Sequence, residues 1–496
     1  MMRTTATLLA SLAVIVAVPA APGYAEPLGA GALAGQGQLP SGVIAAYSLI
    51  APRSAADSRL VARAVVARGD SCPKVNVTDT RGRKSRLKMD VRRPPGTAAS
   101  AFASVTVCSK GLPMGLVSAQ MRGHQIPAAM PMQVDSIAIV SDTGCRIKGS
   151  TIQDCADPNA WPAAKISRRI AQQHPDVVLN VGDYFYREEA CPADKQELCG
   201  GSPPPVTGMP FTDSDYGWLA DVLLPMNPVL SVAPVVMLRG NHETCDRGGN
   251  GFLLFLDPRP GTAGLCAPVP TAAGLAAPQP ATTATWATTL KIDDDRRLRL
   301  ALVDSAYGSD TGVTDWATTQ RPTYVNAEAL TEPRDSQESW LMTHRPIFSI
   351  VTTRFAPADN TLWTPWSSLD QTAAAQGLLD NYGMILSSHN HVAQSVQIPE
   401  QPPSLILGNG GTLLDPTTGY AIPPFGPLAN PDGTPIQPGI TPYPTATKLW
   451  TDVRFGFAIA TPGTKVGRWT IEHLDPAGEQ FAECTLKGRA MDCESD

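Results

Sequence analysis

From Asp135 onward the chain repeats one device: a short apolar run stops on a polar side chain able to bind metal or phosphate. SIAIVS leads into Asp142, DVVLNVGD ends on Asp183, and PVVMLRG leads into Asn241 and His242. SWLMTH ends on His344, and GMILSS leads into His389 and His391. Such runs are too short for helices. With helix-patterned segments between them (WPAAKISRRIAQQH, DYGWLADVLLPM), they predict strand–helix–strand units and a parallel or mixed sheet. The polar ends of strands in such a sheet meet in one crevice. RLALVDS reads as one more strand of this region, and FGFAIATPG, GRWTIEHLD and FAECTLKG as antiparallel strands completing a sheet.

The side chains gathered this way are two aspartates, an asparagine, four histidines and, in GDYFY, Tyr186; the whole chain has seven histidines. Oxygen and imidazole donors suit iron, zinc or manganese. Most of these stretches are ambiguous alone. Gly-Asp is a common turn, a histidine after a strand is commonly a core residue, and only RGNHE is specific. Five stretches in order, each after an apolar strand, point to a metal site.

The order and types of these residues resemble the metallophosphoesterase (calcineurin-like phosphoesterase) superfamily, over residues 135 to about 485. Within it the chain looks most like the purple acid phosphatase type. Many members have Asp-x-His in the first block, whereas this chain has Asp142-x-Gly144. Purple acid phosphatases also have glycine there and supply a tyrosine three residues after the second aspartate, which is Tyr186 here. Two blocks depart from the family pattern, with Ser388 in place of glycine and Leu341 in place of valine.

The resemblance implies a four-layer α/β/β/α sandwich holding two metal ions. Asp142, Tyr186 and His391 would bind the first, Asn241, His344 and His389 the second, and Asp183 both. Tyr184 stands beside Tyr186, and either ring is also a candidate for packing. A phenol titrates near about 10, so a tyrosinate ligand calls for a strong Lewis acid. Fe(III) is expected at the Tyr186 site, with Fe, Zn or Mn at the other. The two metals would share a hydroxide and clamp phosphate oxygens for in-line attack. His242 would hydrogen-bond the phosphoryl group or assist the leaving group. The implied activity is phosphate-ester hydrolysis, with phosphomonoesters first and phosphodiesters or nucleotides second. A non-catalytic binding protein on the same scaffold is the alternative from another class. No HExxH, GxSxG or P-loop offers a competing chemistry.

The first 25 residues, with Arg3, LLASLAVIVAV and Gly23-Tyr24-Ala25, read as an export signal. Residues 26–133 alternate apolar and polar positions, as in RLVARAVVA and SVTVCSK, and predict a small β-rich N-terminal domain. PAAMPMQ (127–133) reads as a linker, and 134–496 as the catalytic domain with long Pro/Gly-rich loops (257–289, 414–447). Ten cysteines fit an oxidising, secreted or periplasmic setting, and their order suggests pairs 72–108, 145–155, 191–199, 245–266 and 484–493. A cysteine metal site would need paired CxxC motifs, which are absent.

The whole chain carries a net charge of −6, which argues against general nucleic-acid binding. A small-molecule phosphate ester is the expected partner, with no membrane partner once the leader is removed. The dense blocks RGRKSRLKMDVRR (81–93) and DDDRRLR (293–299) read as solvated strand or turn faces.

Overall fold

The structure is a computed structural model. It describes residues 42–54, 57–94, 100–200, 213–260, 281–308, 320–331, 337–352, 377–415 and 446–496, with a few isolated residues and short strand pairs between. The expected export signal, most of 414–447 and parts of 257–289 lie outside the described residues.

Two sheets carry the fold. The first has eleven strands, and at its centre Ile137–Val140, Val177–Asn180 and Val235–Met237 run parallel. The tail strands Phe457–Pro462, Arg468–Leu474, Gln480–Lys487 and Ala490–Ser495 add one side antiparallel, as their sequence suggests. The second sheet has seven strands, with Arg297–Val303, Gln337–Thr343, Met384–Ser387 and Ser404–Leu407 parallel in its middle.

Alternation along the strands explains the layering, because successive side chains face opposite sides of a sheet. Ile137 and Ile139 of the first sheet share an inner core with Leu298, Leu300, Trp340 and Met384 of the second. Ala138 and Val140 face outward onto the helix Ala163–Gln173 through Ile166 and Ile170. On the far side Ala301, Val303 and Leu341 pack against Tyr324 and Ala327 of the helix Arg321–Ala329. The result is the four-layer α/β/β/α sandwich.

The β-rich N-terminal region is present and joined to the first sheet. Val43–Pro52 pairs in parallel with Val235–Met237 at Leu49–Val235 and antiparallel with Ser58–Ala67. A separate four-stranded sheet (Lys74–Asp79, Lys84–Lys88, Leu116–Met121, His124–Ile126) places Val75, Val77 and Ala119 in the inner core. All five expected disulfides form.

His473, outside the metal-capable stretches, is fully buried. Its ring lies on Trp450 and its Nε2 is 3.3 Å from Cys484 Sγ. Burial lowers its pKa from 6.5 to about 4. The unfolded chain therefore takes up a proton that the folded chain refuses, and stability is lost as pH falls from 6.5 toward 4. The contribution is roughly 3 kcal/mol, at about 1.4 kcal/mol per pKa unit. Urea unfolding of His473→Asn at several pH values should show a shallower loss of stability across this window than wild type. Parallel curves would refute the assignment.

Candidate metal centre

Every residue singled out at the strand ends comes to the same edge of the sandwich. Asp142 follows Ile137–Val140, Asp183 and Tyr186 follow Val177–Asn180, and Asn241 and His242 follow Val235–Met237 in the first sheet. His344 follows Gln337–Thr343, and His389 and His391 follow Met384–Ser387 in the second. Asp142, Asp183 and His389 have φ of 53°, 57° and 72°. Non-glycine residues rarely adopt this left-handed backbone, and such conformations gather at functional sites.

The Tyr186 hydroxyl is the hub of one side. It lies 2.8 Å from Asp142 Oδ1, 2.8 Å from Asp183 Oδ2 and 3.0 Å from His391 Nε2. On the other side His344 Nε2 is 2.9 Å from Asn241 Oδ1 and 3.2 Å from Asp183 Oδ2. Donor atoms of Asp183, His344 and His389 all lie within 4.8 Å of one another. Asp183 thus stands between the two groups.

Gly144 is explained by packing. A Cβ there would lie 2.5 Å from the Tyr184 carbonyl and 2.9 Å from both the Tyr186 nitrogen and ring Cδ2. A side chain would therefore exclude the very loop that delivers the phenol. Tyr184 turns away, donating to the Leu238 carbonyl at 2.8 Å. The Cys145–Cys155 and Cys245–Cys266 bonds brace the loops just after Asp142 and Asn241.

Without a cation the charged forms of Asp142 and Tyr186 are disfavoured, whereas those of Asp183 and His344 support each other. Burial and the neighbouring Asp183 charge push Asp142 up to about 6. Burial also works against the Asp183 charge, but His344 and His242 outweigh it and hold that carboxyl well below its usual range. Conversely, Asp183 overcomes the effect of burial on His344 and raises it to about 9. Burial and both aspartates drive the Tyr186 phenol well above 10. Positive charge placed here would reverse these pressures on Asp142 and Tyr186. Oxygen and imidazole donors converging around two buried carboxylates fit a pair of metal ions.

Several contributors escaped the sequence reading. Glu188 Oε1 lies 2.7 Å from His242 Nδ1, and Arg247 reaches both residues. Glu243, the last residue of GNHE, accepts backbone N–H bonds from Gly240, Asp183, Tyr184 and Phe185 at 2.8–3.1 Å, tying the Asp183 and Asn241 loops together. Ser388, the departure from the family pattern, lies with its hydroxyl 2.9 Å from His344 Nδ1. The arginines beside the site divide. Arg187 is fully buried against Asp221 at 2.6 Å, whereas Arg345 Nη1 lies 3.2 Å from His389 Nε2. Asp304 serves its strand end, accepting from Thr283 N and Oγ1.

Comparison with known proteins agrees with this architecture. The family model described as calcineurin-like phosphoesterase matches residues 136–393, just over half of the chain. The chain belongs to the calcineurin-like phosphoesterase family and is a metal-dependent phosphoesterase. A purple acid phosphatase from yellow lupin (Lupinus luteus) seeds superposes with a TM-score of 0.52 at 13% identity, covering 90% of this chain and 74% of that one. A structure of PhoD gives 0.49 at 12% identity, covering 92% and 93%. At 13% identity the likeness to the lupin enzyme is one of fold. No curated protein matched the sequence.

Proposed function

We propose that the protein is an exported phosphatase whose two metal ions are held by Asp142, Tyr186 and His391 on one side and Asn241, His344 and His389 on the other, with Asp183 between them. The observation that carries this reading is the Tyr186 hydroxyl, within 3.0 Å of Asp142, Asp183 and His391 at once. A phenolate donor favours Fe(III) at that position, with Fe, Zn or Mn at the other. Bound there, the ions supply charge for the phosphate oxygens and lower the pKa of water.

The chain's own residues do the rest. Asp183 orients the His242 backbone by accepting its N–H at 2.8 Å. Burial lowers His242 to about 4 in the metal-free protein. Its Nδ1 rests against Glu188, and its Nε2 lies 3.8 Å from Asp183 Oδ2 and 2.8 Å from Arg247 Nη2. From there it can bond a phosphoryl oxygen or the leaving group. Arg345 beside His389 adds positive charge at the rim, while the charge of Arg247 is offset by Glu188. That favours the dianionic phosphomonoester over the singly charged diester. The five disulfides and the N-terminal signal pattern support export, in keeping with a secreted or periplasmic enzyme.

The test is metal analysis with turnover. Mature protein should carry about two metals per chain with iron among them, and hydrolyse monoesters faster than diesters. Tyr186→Phe should lose iron and any visible absorption while keeping its fold. Zinc or manganese alone in wild type would demote Tyr186 to packing. Inertness toward both ester classes with metals restored would overturn the phosphatase reading.

A further inference from the structure

The strand Lys84–Lys88 lies at the edge of the four-stranded sheet, and its register settles which side chains share a face. Lys84, Arg86 and Lys88 stand opposite Thr78, Asn76 and Lys74, while Ser85 and Leu87 stand opposite the buried Val77 and Val75. The outer face thus presents four cations, all exposed, with no carboxylate among these paired positions. Beyond the strand the turn adds exposed Arg81 and Arg83, of which Arg83 is offset by Asp79 at 2.7 Å.

The same corner carries exposed apolar side chains. The backbone N–H of Thr80 donates to the Gly115 carbonyl at 2.9 Å, which holds the basic turn beside the turn containing Met114. Met114 is 81% exposed, with Arg53 Nη1 3.5 Å from its sulfur. Val117 is 62% exposed, pushed out where the ladder slips between Thr78 and Asp79. They are two of only five large apolar side chains exposed among the described residues. The Cys72–Cys108 bond anchors this sheet to the first one, so the corner is a fixed surface.

Cations along an edge strand guard against strand pairing, but that purpose explains neither the basic turn nor the protruding Met114 and Val117. Apolar tips set among cations match the boundary between lipid headgroups and acyl chains. A single-stranded nucleic acid would be served by aromatic stacking, which residues 74–93 and 113–122 lack, and protruding apolar tips serve no duplex phosphate backbone. We propose that this corner docks the protein on an anionic lipid surface, with Met114 and Val117 entering the interface and the cations of the turn and strand contacting headgroups. Hydropathy alone pointed to no membrane partner because it registers spans, and indeed no described helix is long and apolar enough to cross a membrane. Surface docking needs no span.

Vesicle co-sedimentation of the full mature chain tests this, using phosphatidylcholine with and without phosphatidylglycerol. Wild type should bind only the anionic vesicles and release as salt rises. Arg81→Glu with Arg86→Glu, and separately Met114→Ser with Val117→Ser, should each weaken binding by about tenfold or more. Melting temperature and turnover of a soluble phosphate ester should stay unchanged, because these side chains are exposed and lie on a different sheet from the metal centre. Wild type that binds no better with phosphatidylglycerol present overturns the proposal. So does binding that ignores the Met114 and Val117 changes, or capture by heparin or duplex DNA without vesicle binding, since both mark a general polyanion surface.

Discussion

Asp183→Asn is expected to reduce phosphate-ester turnover by roughly a thousandfold, because a cation's stabilisation of transition-state charge is worth several kcal/mol and each ~1.4 kcal/mol is tenfold. The proposed role rests on both carboxylate oxygens. Oδ2 faces the Tyr186 hydroxyl and His344, while Oδ1 accepts the His242 N–H. An amide keeps the size and one acceptor but loses the charge, so the fold should survive by circular dichroism. Metal content should drop below two per chain. A variant with near wild-type turnover and two metals would show that Asp183 does not hold the pair together. Loss of turnover with both metals retained would assign it a purely electrostatic part.

The candidate site was largely legible in the sequence because its residues follow strands of strongly apolar character. A four-residue run such as Ile137–Val140, buried along its whole length, announces both its conformation and the place where it stops. Short-range cysteine order was equally readable, since four of the pairs close loops of 8 to 21 residues. What stayed hidden depends on contacts distant in sequence. Nothing in VIAAYSLIAP says that Leu49 will pair with Val235, so how the β-rich N-terminal region attaches to the first sheet was not legible. Glu188 pairs with His242 across 54 positions, and its local context, a charged stretch after Tyr186, gives no hint of a partner. Ser388 looked like a deviation from the family pattern. Its hydroxyl beside His344 shows a position with no steric need for glycine and a use for a polar side chain.

Gly144→Ala should be the most damaging single methyl group in the protein's first ligand loop. The backbone at this position has no need of left-handed freedom; what it lacks is room, with the Tyr184 carbonyl 2.5 Å from the added carbon. Overpacking of this kind costs about 1–3 kcal/mol. Its special consequence is direction, since relief requires moving the segment that carries Asp183 and Tyr186 away from Asp142. The phenol now sits 2.8 Å from Asp142, and even a small retreat would open the donor set on that side. The variant should therefore unfold at lower urea concentration and lose the Tyr186-side metal together, whereas Tyr186→Phe loses the metal while leaving the backbone in place. Gly383→Ala is the matched control, because its nearest neighbour would be an ordinary 3.4 Å away. It should change neither quantity. If Gly144→Ala melted like wild type and kept its full metal content, the close approach of the two loops would not be what fixes glycine here, and its presence would need another structural cause.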